Sequence, residues 1–171
     1  MDPATDVGPL ANEAQVKTLA DQVAQSVKAG ARLLIGGRPI DRAGFYFAPG
    51  VLTGITRDSP AYRDEIFGPI ALLFRARDIE ESIRIANDSP FGLGASAWTQ
   101  DERERDRFIA DLEAGMVFIN AMVASDPRLP FGGVKQSGYG RELSVQGIRE
   151  FVNIKTVWID GSPAKPLPLA E

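Results

Sequence analysis

The chain has 171 residues, 44% of them apolar and 25% charged, with 19 basic and 23 acidic side chains and a net charge of −4. That balance suits one globular core and offers no basic cluster to neutralise a row of phosphates, so nucleic acid is not an expected partner. With no Cys and no His, the chain supplies no thiolate nucleophile, imidazole base, Cys/His zinc site or disulfide, leaving carboxylates, Lys, Tyr, Ser and backbone amides.

The opening MDPATDVGPLANEAQ carries no positively charged apolar signal, and no apolar run approaches the roughly 18 residues that span a bilayer. A cytoplasmic protein with no membrane partner is therefore expected. Val16, Leu19, Val23 and Val27 recur at helical spacing through NEAQVKTLADQVAQSVKAG, and Gly30 stands where a C-cap would. ARLLIGG reads as a short strand, and FYFAPGVLTGI as two strands meeting at a turn around Pro49 and Gly50.

PIALLFRAR is the next expected strand. DIEESIRIANDS follows as a helix opened by a capping box of Asp78 and Glu81. FGLGASAWT reads as a strand, and DERERDRFIADLEAG as a helix with a second capping box, Asp101 and Glu104, and an apolar face of Phe108, Ile109 and Leu112. GMVFIN is a short apolar strand. SVQGIREFV and NIKTVWI give a last helix and a last strand, and GSPAKPLPLAE a flexible tail.

Helices alternating with apolar strands predict an α/β fold: a mostly parallel sheet with flanking helices. Ligands in such sheets sit at strand carboxyl ends, which selects the loops after Ile55, Ala76, Thr99 and Asn120. The last of these, from Ala121 to about Tyr139, is long for a compact domain and contains LPFGGVKQSGYGREL. A Walker loop fails here because Tyr139 follows Gly138, where a lysine is required. The dinucleotide fingerprint fails because Leu143 stands where its third glycine belongs. Turns with positive φ at Gly132, Gly133, Gly138 and Gly140 are the plainer account. In AYRDEIFGPI, adjacent Asp64 and Glu65 point in different directions, so they do not form a paired-carboxylate acid/base site.

Taken together and in order, DEIFGPI (64–70), ANDSPFGLGASAWT (86–99), GMVFIN (115–120) and LPFGGVKQSGYGRE (129–142) resemble the C-terminal part of the NAD(P)-dependent aldehyde dehydrogenases. Within that family, SDPRLPFGGVKQSGYGREL and GIREFVNIKTVWI are most similar to the succinate-semialdehyde dehydrogenases. The resemblance implies that Glu65 accepts hydrogen bonds from the nicotinamide ribose hydroxyls and that Phe67 borders the nicotinamide of NAD or NADP. It implies Phe131 in the wall of the aldehyde tunnel, Ser125 at the substrate's distal carboxylate, Glu142 on a proton path and Arg141 at an interface. Arg128 is added on chemical grounds as a charge-assisted partner for the same carboxylate.

The family's chemistry uses a cysteine thiolate, an oxyanion hole of an asparagine and a backbone amide, and a glutamate that activates water. Those groups belong to an earlier part of family members, and this chain has no cysteine. The resemblance thus implies a truncated catalytic-domain portion over 1–152, an oligomerisation strand over 153–160 that makes a homo-oligomer, and a flexible tail over 161–171. No aldehyde oxidation is expected of the chain alone. The competing expectation is a non-catalytic module that associates through its edge strand.

Overall fold

A computed structural model describes residues 4–161. Helix α1 spans Glu13–Lys28, opened by the Asn12 side chain, which accepts from the Gln15 amide. It closes at Ala29, with Gly30 at φ 105° just beyond. Of its expected apolar stripe, Leu19 and Val23 are buried, whereas Val27 is exposed; Ser26 takes the remaining buried place. The Ser26 hydroxyl accepts from the Ala61 amide at 3.1 Å, which satisfies it in the core.

Strands β1 (Arg32–Ile35), β2 (Gly50–Thr53) and β3 (Ile70–Leu73) form one three-stranded sheet in that order. Leu52, fully buried at the centre of β2, packs with Val23, Ala31 and Ala61, flanked by Leu33, Ile70 and Leu72. Burying one leucine in this way contributes roughly 1.5–3 kcal/mol. The β1–β2 pair is antiparallel, with Leu33 opposite Leu52, and the β2–β3 pair is parallel, with Leu52 opposite Leu72. Only the second half of FYFAPGVLTGI is a strand; its first half contributes a single bridge, Phe47 to Pro39.

After helix α2 (Pro60–Arg63) and β3 come helix α3 (Ile79–Asn87), strands β4 (Phe91–Gly92) and β5 (Gly94–Ala97), helix α4 (Glu102–Asp111), strands β6 (Met116–Ile119) and β7 (Val134–Lys135), and helix α5 (Ser144–Arg149). β5 and β6 form a parallel pair and β4 and β7 an antiparallel one. The α/β class therefore holds, but among the described residues three small sheets replace the one mostly parallel sheet expected. The connections explain this: α2 and α4 lie in crossovers that return the chain parallel, whereas β1 reaches β2 through an irregular loop that reverses it, and β4 meets β7 only after β5, α4 and β6 have intervened.

Asp78 and Asp101 cap α3 and α4 as expected, accepting from the Glu81 amide and from the Arg103 and Glu104 amides. Neither box is reciprocal. Glu81 turns back to the Arg77 amide and guanidinium, and Glu104 accepts from the Thr99 hydroxyl. On α4, Phe108 and Leu112 are half-buried while Ile109 is 54% exposed.

One further expectation is corrected, at the last helix, and the strand expected over 153–160 has no pairing partner among the described residues. Residues 153–160 form no strand; Ile154, Val157, Trp158 and Ile159 are exposed, because no described strand lies alongside to complete a ladder. The last helix starts at Ser144 and stops at Arg149, leaving Phe151 and Val152 in a turn. Of the expected tail, residues 162–171 lie outside the described residues. Among those described, no helix is long and apolar enough to cross a membrane.

The first sheet and the later elements are tied through Asp88, the C-cap of α3. Its carboxylate accepts from the Tyr62 hydroxyl at 2.5 Å and from the Arg57 guanidinium. The Tyr62 hydrogen bond first, and the Arg57 charge second, hold the Asp88 carboxyl below the usual carboxylate range. A depressed carboxyl contributes stability above its unfolded value, near 3.9, and loses it as pH falls through the folded value. The urea midpoint of the parent chain is expected to drop more between pH 5 and pH 3 than that of Asp88→Asn; equal drops contradict this tie.

Gly115, where the chain enters β6, meets the glycine loop at backbone distance: a Cβ there would lie 1.9 Å from the Gly132 carbonyl oxygen and 2.9 Å from the Gly133 Cα. Gly115→Ala must therefore push the loop away, and a loss of about 1–3 kcal/mol in urea unfolding is expected. An unchanged midpoint with unchanged amide exchange over 131–142 contradicts that contact.

Candidate functional site

The parallel strands β5 and β6 end side by side, and Asn120 locks their ends together. Its side chain accepts from the Thr99 amide at 3.0 Å and donates to the Thr99 carbonyl at 2.9 Å. The loop expected from sequence leaves from this carboxyl end, the position at which α/β sheets present ligands.

The loop is held at four places. At Asp126 the carbonyl accepts from the Leu129 amide and the carboxylate from the Arg128 amide, both at 2.9 Å, an Asx-type turn. Phe131 and Glu142 exchange two backbone hydrogen bonds, at 2.9 and 2.7 Å, which close the segment between them. Lys135 donates to the Asn87 and Ser89 carbonyls at 2.7 and 3.1 Å and pairs with Glu113 at 2.7 Å. Inside the loop, the Arg141 Nη1 donates to the Gly133 and Gly140 carbonyls at 2.9 and 2.6 Å.

The glycines divide by purpose. Gly138 and Gly140 have φ of 120° and 74°, as a turn account requires. Gly132 and Gly133 do not take positive φ and are glycine for space: added Cβ atoms would meet the Gly140 carbonyl oxygen at 2.7 Å and the Ser137 Cβ at 2.6 Å. The left-handed positions that sequence reading missed are Lys135, Leu143 and Ser144.

Between β6 and this loop lies a cavity of about 430 Å³. Met116, Phe118, Leu129 and Phe131 supply apolar walls, and Asp126 and Arg141 are its charged side chains. Phe131, expected from the resemblance in a tunnel wall, lines this cavity. Ser125 is exposed on the same loop, beside Asp126 and not in the cavity lining itself. Arg128 is 85% exposed, and its Nε and Nη2 donate to the two Asp126 carboxylate oxygens at 2.9 and 2.6 Å. That bidentate pair holds the Asp126 carboxyl below its usual range, chiefly through the side-chain hydrogen bond.

Glu142 is exposed and borders two neighbouring hollows, one of about 770 Å³ with Arg128, Ile148 and Phe151, the other of about 260 Å³ with Phe131 and Tyr139. Asp126 is the member of this site that sequence reading passed over. The available signal was an Asp two residues before an Arg in the Pro-bearing SDPRLP.

Glu65 and Phe67 sit apart, on the turn between α2 and β3, and line none of these three cavities. Their backbone is fixed from α1: Gln22 donates to the Glu65 carbonyl at 3.3 Å and Gln15 to the Phe67 carbonyl at 3.0 Å. Both side chains point outward, Phe67 being 68% exposed, and the Glu65 carboxylate has no hydrogen bond or ion pair among the described residues. A carboxylate with free acceptor oxygens on an anchored turn, two residues from an exposed aromatic face, fits a vicinal diol beside a flat ring.

The aldehyde dehydrogenase family model matches residues 1–157. A succinate-semialdehyde dehydrogenase (NADP+) 1 from Mycobacterium ulcerans is 57% identical over 158 residues, covering 92% of this chain and 34% of that protein. The Mycobacterium avium succinate-semialdehyde dehydrogenase (NADP+) is 57% identical over 161 residues, covering 94% and 34%. Among solved structures, succinic semialdehyde dehydrogenase from Streptococcus pyogenes, in complex with NADP+, superposes with a TM-score of 0.88 at 41% identity, covering 93% of this chain and 35% of that one. An NAD-dependent aldehyde dehydrogenase from Sinorhizobium meliloti gives 0.88 at 37% identity, covering 94% and 32%. The chain thus spans about a third of the length of the curated relatives it matches. By the extent of these matches, and with its glycine loop, cavity and anchored Glu65 turn, this chain belongs to the aldehyde dehydrogenase family.

Proposed function

We propose that this chain is the substrate-side portion of an enzyme that oxidises succinate semialdehyde to the carboxylic acid with NAD(P), NADP being the cofactor named for the Mycobacterium relatives. The observation that carries this reading is the apolar cavity along β6, walled by Phe131, with Ser125 on its rim loop. A four-carbon aldehyde suits it: the methylenes lie against the apolar wall, and the distal carboxylate accepts from the Ser125 hydroxyl. Phe131 keeps water from the reacting carbonyl. Glu142, exposed beside Phe131, is placed to pass protons to solvent.

Glu65 accepts from the ribose hydroxyls of the nucleotide, and Phe67 flanks the nicotinamide. When bound, that cofactor supplies the hydride acceptor. The attacking thiolate is not supplied here, since the chain contains no cysteine. The chain by itself is accordingly inactive and acts as part of a longer catalytic domain. Residues 153–160, with Ile154, Val157, Trp158 and Ile159 exposed, become the oligomerisation strand when a second copy offers an edge. An interaction module without catalysis rests on that exposed segment alone and leaves the outward-facing Glu65–Phe67 turn unused.

The purified chain, given succinate semialdehyde and NADP, is expected to form no NADPH, and turnover above a heat-killed control contradicts its inactivity. In a chimera where this segment replaces the matching third of the Mycobacterium ulcerans relative, oxidation is expected. There Glu65→Gln should raise KM for NADP about tenfold, the size of one lost charge-assisted hydrogen bond. An unchanged KM removes Glu65 from the cofactor site.

A further inference from the structure

The Arg128 guanidinium is engaged, bidentate through Nε and Nη2, by Asp126, whose own backbone and carboxylate organise the turn that follows Ser125. Asp126 lines the cavity and Arg128 does not. An exposed ion pair of this kind adds little to stability, so its effect on the cavity's charge is the larger consequence.

We infer that Arg128 is a specificity-determining positioning residue: by neutralising Asp126 in the cavity lining, it lets an aldehyde with an anionic distal end approach Ser125. The inference rests on the proposed succinate semialdehyde site and assigns a different task to Arg128 from direct carboxylate binding. Its physical basis is the charge on the wall. The charged lining groups are Asp126 and Arg141, and the Arg141 Nη1 already serves the Gly133 and Gly140 carbonyls. With Arg128 in place, Asp126 is compensated and the wall keeps the Arg141 charge. Without Arg128, an uncompensated carboxylate stands one residue from Ser125, and an incoming anion meets like charge in a cavity whose other walls are largely apolar. A neutral aldehyde of the same length feels no such difference. The same contacts position the loop, because the Arg128 side chain returns to the oxygen that accepts from its own backbone amide.

The test uses the chimera described above, with succinate semialdehyde and neutral butanal as paired substrates. Arg128→Ala is expected to raise KM for succinate semialdehyde about tenfold, the scale of one partly solvated unit charge at several ångströms, while KM for butanal and kcat for both stay within about twofold. Adding Asp126→Asn to Arg128→Ala is expected to return KM for succinate semialdehyde toward the parent value. Equal losses for both aldehydes, or no rescue in the double variant, overturn the inference.

A folded parent chimera that oxidises butanal but shows no preference for the semialdehyde sinks the substrate reading itself. Should the parent oxidise neither aldehyde, the clamp is judged in the 171-residue chain by amide exchange. Arg128→Ala must then accelerate exchange at the Arg128 and Leu129 amides, and unchanged exchange overturns the clamp.

Discussion

Two backbone hydrogen bonds between Phe131 and Glu142 close the glycine loop, and the site depends on that closure. Without it, the chain from Asn120 to Ser144 would be a long irregular excursion with a large ordering cost. Once it is closed, Arg141 can reach back to the Gly133 and Gly140 carbonyls, and the loop becomes narrow enough to lie against Gly115. That contact brings Gly132, next to Phe131, against the start of β6, and Phe131 lines the cavity beside that strand. Gly132 and Gly133 thus serve to admit neighbouring atoms, whereas Gly138 and Gly140 are the loop glycines that supply positive φ.

The two candidate half-sites are built differently. The substrate side is a loop clamped by its own polar groups, where Asp126, Arg141 and Lys135 each bind backbone. The nucleotide side is a short turn held by two glutamines of α1 through carbonyls alone, which leaves the Glu65 and Phe67 side chains facing outward. A site assembled this way presents groups to something approaching from outside the segment. The chemistry that would join the two sides needs a nucleophile the sequence does not contain.

Much of the local structure was legible because it rests on short-range rules. Asp78 and Asp101 cap helices through side-chain acceptors, and Leu19 and Val23 turn inward at helical spacing. Sheet architecture was less so, because pairing direction depends on how each connection returns the chain, and an apolar run such as RLLI or MVFI reads the same in either direction. NIKTVWI has strand composition but no described neighbour, so its composition alone did not make a strand. The candidate site residues were picked out through the motifs, yet the Asp126–Arg128 pair escaped notice because a carboxylate and a guanidinium two residues apart meet only when the intervening Pro127 sits in a turn. The left-handed Lys135, Leu143 and Ser144 carried no glycine or asparagine to announce them.

In the proposed function, Ser125 and Phe131 together hold a four-carbon substrate with a carboxylate at its far end. A crystal structure of the Mycobacterium ulcerans chimera soaked with succinate, the product, tests it most directly. One carboxylate is expected within about 2.7 Å of the Ser125 hydroxyl oxygen, with the methylenes lying on the Phe131 ring. Succinate bound elsewhere, or seated in the cavity with Ser125 turned to solvent, would contradict the account.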